Sequence, residues 1–380
     1  MKIEQLSFFE HDHDRDFFSE KFSFDPDMIL IFGCSKAISE SLFSKKLKEL
    51  YPGSIISGCS TAGEISGTRV SDRSVVCNAI KFEHTRIEQH SISLNENTNS
   101  KAAGAKLMAR FDPAGLKHVF VLSDGLHVNG TELVQGIRSA LPKDVNVTGG
   151  LAGDGADFKS TWVIDKDGVA KTNLITAIGF YGDKIQIGYG SLGGWDSFGI
   201  ERSVTRSDKN VLYEIDKQPA LQLYKSFLGE QAKDLPASGL LFPLSVRTES
   251  QDEPLVRTIL AVNEAEQSLT FAGDIPEGSF VKLMKANINR LIEGAGRAAE
   301  VSVSPLGFNK AQFAVLISCV GRKLVLKQLV EEEVEAVKEV LGIQTVMTGF
   351  YSYGEIAPFL KDAKCELHNQ TMTITTFSEI

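Results

Sequence analysis

A short glycine-framed loop holding a carboxylate occurs three times along this chain of 380 residues. It reads Gly58-Cys59-Ser60-Thr61-Ala62-Gly63-Glu64-Ile65, then in weaker form Gly149-Gly150-Leu151-Ala152-Gly153-Asp154, and again Gly349-Phe350-Tyr351-Ser352-Tyr353-Gly354-Glu355-Ile356-Ala357-Pro358. Each copy follows an apolar run, a helical stretch and a second short apolar run. That order describes a βαβ unit, whose right-handed crossover leaves both strand ends on one side. Loops at the carboxyl ends of parallel strands are where such folds keep ligands. The recurrence therefore predicts a mixed α/β protein with a ligand site on a repeated scaffold. We expect two domains built from βαβ-plus-hairpin units around mixed sheets.

The units are legible in detail. Met28 to Phe32 is an unbroken apolar run, as in a strand covered on both faces. Ile38, Leu42, Phe43, Leu47 and Leu50 follow at helical spacing, Pro52-Gly53 stops the helix, and Ser54 to Ser57 opens the next strand. Ser74–Phe82 and Arg86–Leu94 read as two more strands. A second cycle runs through a helix at 100–110, a strand at 118–122, a helix at 131–140 and a strand at 146–148. A hairpin then turns at Asp165-Lys166-Asp167-Gly168. Residues 200–210 are polar and read as a connection between segments 27–200 and 201–380, with 1–26 as a solvated lead-in. Beyond it we expect a helix over 280–299. The third cycle has a strand at 313–319, a helix at 324–341 and a strand at 345–347. A closing strand at 365–377 sets His368 and Met372 on one face by period-two alternation.

Composition narrows the function. A formal charge of −9 argues against nucleic acid, which calls for a basic surface. No apolar run reaches the ~18 residues of a membrane span, and the first residues lack a signal-peptide pattern. Five irregularly spaced cysteines suit a reducing compartment, so we expect a cytoplasmic protein. The His11-Asp12-His13-Asp14 stretch has chelating spacing, but no Cys or further His follows nearby, and it reads as solvated chain.

The three loops, together with the ending Cys365-Glu366-Leu367-His368-Asn369-Gln370-Thr371-Met372, resemble the FIST family, in its FIST N-terminal and FIST C-terminal domains. The resemblance spans about Asp27 to Phe377. It implies a sensory input module for signal transduction that binds a small ligand and is not itself an enzyme. Stand-alone bacterial members of this size include nitric-oxide-sensing haemoproteins. That implies haem as cofactor, and a partner histidine kinase or a cyclic-di-GMP pathway as output.

Within that expectation His368 is the candidate axial ligand to iron, since an imidazole on one side leaves the other for a diatomic gas. A half-buried histidine satisfied by neighbouring backbone is the plainer reading. Met372 as a sixth ligand competes with ordinary core packing. His127, on the loop after Ser123-Asp124-Gly125, is the second histidine candidate. Tyr351 and Tyr353 are candidates to pack against a flat ligand, or else core aromatics. Glu64, Asp154 and Glu355 suit an amino group or a cation. They equally suit backbone amides of neighbouring loops, and a geometric need repeats with the unit while a ligand contact need not. Cys34, Cys59 and Cys319 fall at strand ends, with Ser123 and Gly150 as second-cycle counterparts. They read as small packing residues, as a thiolate iron ligand at Cys59, or as nucleophiles of a cysteine-dependent enzyme. An amino-acid or metabolite sensor without haem, and a homodimer, complete the expectations.

Overall fold

The computed structural model describes residues 1–9, 21–94, 99–249, 254–307, 310–358 and 364–380; the stretch from His11 to Asp14 lies outside them. Unit one comprises β1 (Lys2–Phe9), β2 (Met28–Cys34), α1 (Ser35–Ser39), α2 (Leu42–Leu50), β3 (Ile55–Thr61), the hairpin β4 (Glu64–Ser66) and β5 (Arg69–Ser71), β6 (Ser74–Lys81) and β7 (Arg86–Ser93). Unit two repeats the order as α3 (Ser100–Met108), β8 (Leu116–Ser123), α4 (Gly130–Ala140), β9 (Asn146–Leu151), β10 (Val163–Ile164), β11 (Ala170–Lys171), β12 (Leu174–Tyr181) and β13 (Ile185–Leu192). An inserted β-domain follows: β14 (Asp196–Asp208), β15 (Val211–Ile215), β16 (Gln218–Pro219), α5 (Ala220–Leu228), β17 (Leu244–Arg247), β18 (Leu255–Arg257), β19 (Ile259–Asn263), β20 (Ser268–Phe271) and β21 (Phe280–Lys285). Unit three closes the chain with α6 (Ile288–Val303), β22 (Phe313–Cys319), α7 (Val320–Leu326), α8 (Val330–Leu341), β23 (Val346–Ser352), β24 (Gly354–Pro358), β25 (Cys365–His368) and β26 (Met372–Glu379).

In each unit two strands pair in parallel, and Gly58, Gly149 and Gly349 hold one register, opposite Ile31, Val121 and Leu316. A Cβ at these glycines would stand 2.0, 1.9 and 1.8 Å from the opposite carbonyl oxygen, so the close approach of the two backbones requires glycine. This is why the loop motif opens on glycine each time.

The units exchange strands in a ring. The hairpin strand β4 leaves unit one and pairs with β23 of unit three. Likewise β10 of unit two pairs with β3 of unit one, and β24 of unit three pairs with β9 of unit two. Edge strands pass onward as well: β7 adds to β12, and β13 adds to β26. The lead-in segment contributes one of these edges, since Lys2–Phe9 pairs along its whole length with β6.

Ring closure explains the unbroken apolar runs. Leu30, Phe32, Phe120, Leu122, Val315 and Ile317, from the first strands of the three units, share one central core. The residues between them face outward against helices: Ile29 and Ile31 with Leu47 of α2, Val119 and Val121 with Leu133 and Ile137 of α4. Both strand faces are buried, as such runs demand.

Three local expectations change. The polar stretch 200–210 lies mostly within β14, a 13-residue strand with solvent on much of its length, so its polarity marks an exposed face rather than a linker. Position 200 therefore falls inside a strand of the inserted domain. The expected helix over 280–299 divides into β21 and the first turns of α6. The closing strand divides too: Asn369–Thr371 turns between β25 and β26, with Gln370 at φ 65°. His368 and Met372 thus lie on separate strands.

One buried ion pair sits where the insert joins the ring. Arg322 and Glu333 have fully buried side chains 2.7 Å apart. Arg322 also donates to the carbonyls of Gly193 and Leu291, both at 2.7 Å, near where the chain leaves and re-enters the ring. Ser318 and Tyr351 donate their hydroxyls to the other Glu333 oxygen at 3.0 and 2.6 Å. Removing one partner strands a buried charge, so Arg322→Met should lower stability in urea unfolding by about 3–5 kcal/mol, with much of the loss recovered in Arg322→Met/Glu333→Leu. Additive losses would show that the two residues do not act as a unit.

Candidate functional site

The three glycine-framed turns meet at one hub. Ala62 N donates to Tyr351 O and Tyr351 N to Gly63 O, both at 2.8 Å. Gly153 N donates to Ser60 O at 2.9 Å, and Tyr353 N to Leu151 O at 3.2 Å. Lys323 at α7 caps the hub, donating to Ala62 O at 2.8 Å and pairing with Asp72. The expected convergence of the turns is present, but their backbones bond to one another and fill the centre.

Two of the three carboxylates are held alike. Glu64 accepts from Thr61 Oγ1, and from Ser74 N and Oγ at 3.1 and 2.6 Å. Glu355 accepts from Ser352 Oγ at 2.6 Å, and from Thr371 N and Oγ1 at 3.2 and 2.9 Å. Both are sealed from solvent, and burial raises both carboxyls, Glu355 to about 8.

Asp154 does not match them. Glu64 pairs opposite Phe350 and Glu355 opposite Gly150, and the same register in unit two holds Val163, opposite Cys59. Unit two carries extra residues between its turn and β10, and Asp154 organises them, accepting from the amides of Phe158, Lys159 and Ser160 at 2.9, 2.7 and 2.7 Å. The acid of unit two with no solvent exposure is Asp124, one residue beyond β8. It accepts from Asn173 N at 2.6 Å, Thr161 Oγ1 at 2.9 Å, and the amides of Leu126 and His127 at 2.8 and 3.0 Å. Burial pushes its carboxyl up, but the three backbone donors outweigh that and hold it below the usual range. Asp124 stands at the register of Cys34 and Cys319, one residue past the Ser123 expected there.

The remaining candidates separate. Tyr351 is fully buried and committed to Glu333. Cys59 belongs to the central core, where burial pushes its thiol well up, as it does for Cys77, Cys319 and Cys365. That works against a resting thiolate. His368 is 2 % exposed, its Nε2 lies 2.8 Å from Ala357 O, and burial lowers it to about 4. An axial haem ligand needs a ring nitrogen facing open space, and His368 in this setting does not fit that role. Met372 is core.

Open space lies elsewhere. A cleft of about 200 Å³ separates the rim of unit two from the inserted domain. His127, Asn129, Phe158 and Tyr353 line it from the ring, and Phe271 and Gly273 from the insert. Phe158 and Tyr353 stack with centroids 4.4 Å apart and planes 15° apart, and Asp154 fixes the Tyr353 hydroxyl. His127 has a 47 % exposed side chain, and its Nδ1 is 3.0 Å from Asp124. With Nδ1 engaged, Nε2 is the ring nitrogen left for a bound molecule. Polar contacts clasp the two walls: Asn129 to Asp274 at 3.1 Å and Lys209 to Glu132 at 3.0 Å. Among the described residues no group of three or more His, Cys, Asp or Glu is placed to hold a metal, and no helix is long and apolar enough to cross a membrane.

With three units, an insert and a two-walled cleft in view, the chain belongs to the FIST family: a FIST N domain matches residues 27–218 and a FIST C domain residues 220–358. FIST domains are associated with sensory function in signalling. The two matches meet beside β16, within the inserted domain. The chain is 27 % identical over 241 residues to the uncharacterized protein MJ1623 of Methanocaldococcus jannaschii, over 56 % of this chain and 45 % of that protein. The crystal structure of a cyanuric acid hydrolase from A. caulinodans superposes with a TM-score of 0.38 at 7 % identity, covering 99 % of this chain and 98 % of that one, too low a score to carry a functional reading.

Glu355 gives a pH signature. Its native pKa of about 8 lies above the ordinary value of 4.5, so the native state holds the proton more tightly. The resulting stability is complete below the ordinary value and is lost as pH rises through the native one. Buried His368 and His118, both lowered from 6.5, titrate in the unfolded state around 6.5 and add a slope of opposite sign, which comparison with a Glu355 variant cancels. Between about pH 6.5 and pH 8, the melting temperature of wild type should fall relative to that of Glu355→Gln; parallel curves would contradict the assignment.

Proposed function

We propose that this protein is a small-ligand sensor in which the ligand occupies the cleft between the unit-two rim and the inserted domain. One observation carries the reading: the two walls belong to separately cored bodies, so a molecule gripping both changes how firmly they hold together. Such a ligand favours the closed arrangement by the difference in its affinity for the two arrangements. Output then passes to a separate partner, a histidine kinase being the class that the family resemblance suggests.

The cleft volume supports an amino-acid-sized or similar metabolite first, since it falls below the ~300–1,000 Å³ of sites for drug-sized molecules. Asn129, His127 and the Gly273 backbone supply polar contacts, and Phe158, Tyr353 and Phe271 the apolar ones. A second reading, a haem-based nitric oxide sensor like NosP, draws on His127. A carboxylate on Nδ1 is the usual support for a metal-ligating imidazole, and Asp124 supplies one. Haem would bring a gas-binding iron that His127 would hold, and because the macrocycle exceeds the cleft as it stands, this reading requires the two walls to part.

A melting-temperature screen of metabolites and hemin tests both. We expect one ligand to raise the melting temperature of wild type, and His127→Ala to weaken it by roughly tenfold or more. If that ligand is haem, the Soret band is lost in His127→Ala and kept in His368→Ala. No shift with any metabolite, and no Soret band with hemin, would overturn the proposal.

A further inference from the structure

The inserted domain carries a second cleft, of about 190 Å³, on the face made by β14, β21 and α5. Phe198, Tyr224, Phe227, Val281 and Leu283 form its apolar lining, and Ile200 stands at its rim. Ile200 is 69 % exposed and Phe227 41 %, whereas Tyr224, Val281 and Leu283 beneath them are buried. The exposure of Ile200 comes from the backbone. Register with β21 holds at Phe198 and resumes at Arg202, so Gly199, Ile200 and Glu201 loop out without cross-strand partners in β21. Gly199 takes φ 74°, which lets the strand swing outward. A large aliphatic side chain is thus held in water beside an unfilled apolar hollow, an arrangement that marks an interaction surface.

We propose that this face is the interface between two copies of this chain. A twofold contact requires a patch complementary to itself. Here the protruding side chain and the hollow that accepts an aliphatic side chain lie side by side. Charge complementarity points to the same occupant. Glu201 adjoins the protruding Ile200, and Lys282 lines the hollow. Seating Ile200 of one copy in the hollow of the other brings Glu201 of the first beside Lys282 of the second. Within one chain Glu201 reaches Arg247 at 2.5 Å, an exposed pair of small worth that a cross-copy contact can displace or share. Arg202 lies over Phe227 at 5.3 Å and is paired with Asp216, so it braces the wall and supplies no competing charge. The inference stands apart from the ligand cleft, although Phe271 of that cleft and Leu283 of this one belong to a single core.

Sedimentation velocity over a wide concentration range tests it on the full chain. Wild type should be a dimer, and Ile200→Glu should raise the dissociation constant by roughly tenfold or more with an unchanged circular dichroism spectrum. Glu201→Lys and Lys282→Glu should each weaken the dimer and, combined, restore it, a result that loss of folding cannot mimic. A wild type that stays monomeric at every concentration overturns the proposal, including the case in which another protein fills the hollow. So does a dimer that Ile200→Glu leaves intact.

Discussion

Antiparallel pairing of a strand from each unit with the sheet of another is the interaction on which the architecture depends. Strands β4, β10 and β24 are short, and none forms a stable sheet with its own hairpin partner alone. Each completes a sheet whose parallel pair belongs to a different unit. The central core is likewise shared, with side chains from all three units in one cluster. A unit lacking its neighbours would expose a sheet edge and half of its apolar strand faces. The ring is therefore one thermodynamic body, although the family matches divide the chain near residue 219.

The buried carboxylates follow from that exchange. Where a strand departs to join another unit, backbone and hydroxyl donors beside its start need an acceptor. Glu64 and Glu355, at the start of the departing strands β4 and β24, accept from donors of their own units, and Asp124 does so from the end of β8. Placed at the end of β8, Asp124 also binds the amides of the loop behind it and holds His127 at the cleft. The departure from the repeat and the candidate site thus share one cause.

Much of this was legible in the sequence, for physical reasons. Gly58, Gly149 and Gly349 stand out because the close approach of parallel strands tolerates no Cβ. The runs at 28–32, 118–122 and 313–319 are unbroken because both faces are buried. Strand partners were not legible, since nothing local in Glu64–Ser66 encodes pairing with residues near position 349. Asp154 resembled Glu64 by spacing, and only register separates them once extra residues enter before β10. His368 looked available because alternation was carried across a turn that Gln370 makes in the left-handed region. Asp124 and His127 did carry a signal, an Asp followed at i+3 by His just beyond a buried strand, but it is too short to stand out alone.

The claim that the ring is a single body is open to direct measurement by native-state hydrogen exchange. Protected amides of Ile31, Val121 and Leu316, from the three first strands, should exchange with one shared free energy and one shared denaturant dependence. The inserted domain, with its own core, is free to open at a lower free energy. If the amide of Leu316 instead exchanged in a separate step while those of Ile31 and Val121 stayed protected, unit three would fold apart from the other two and the exchanged-strand account would fail.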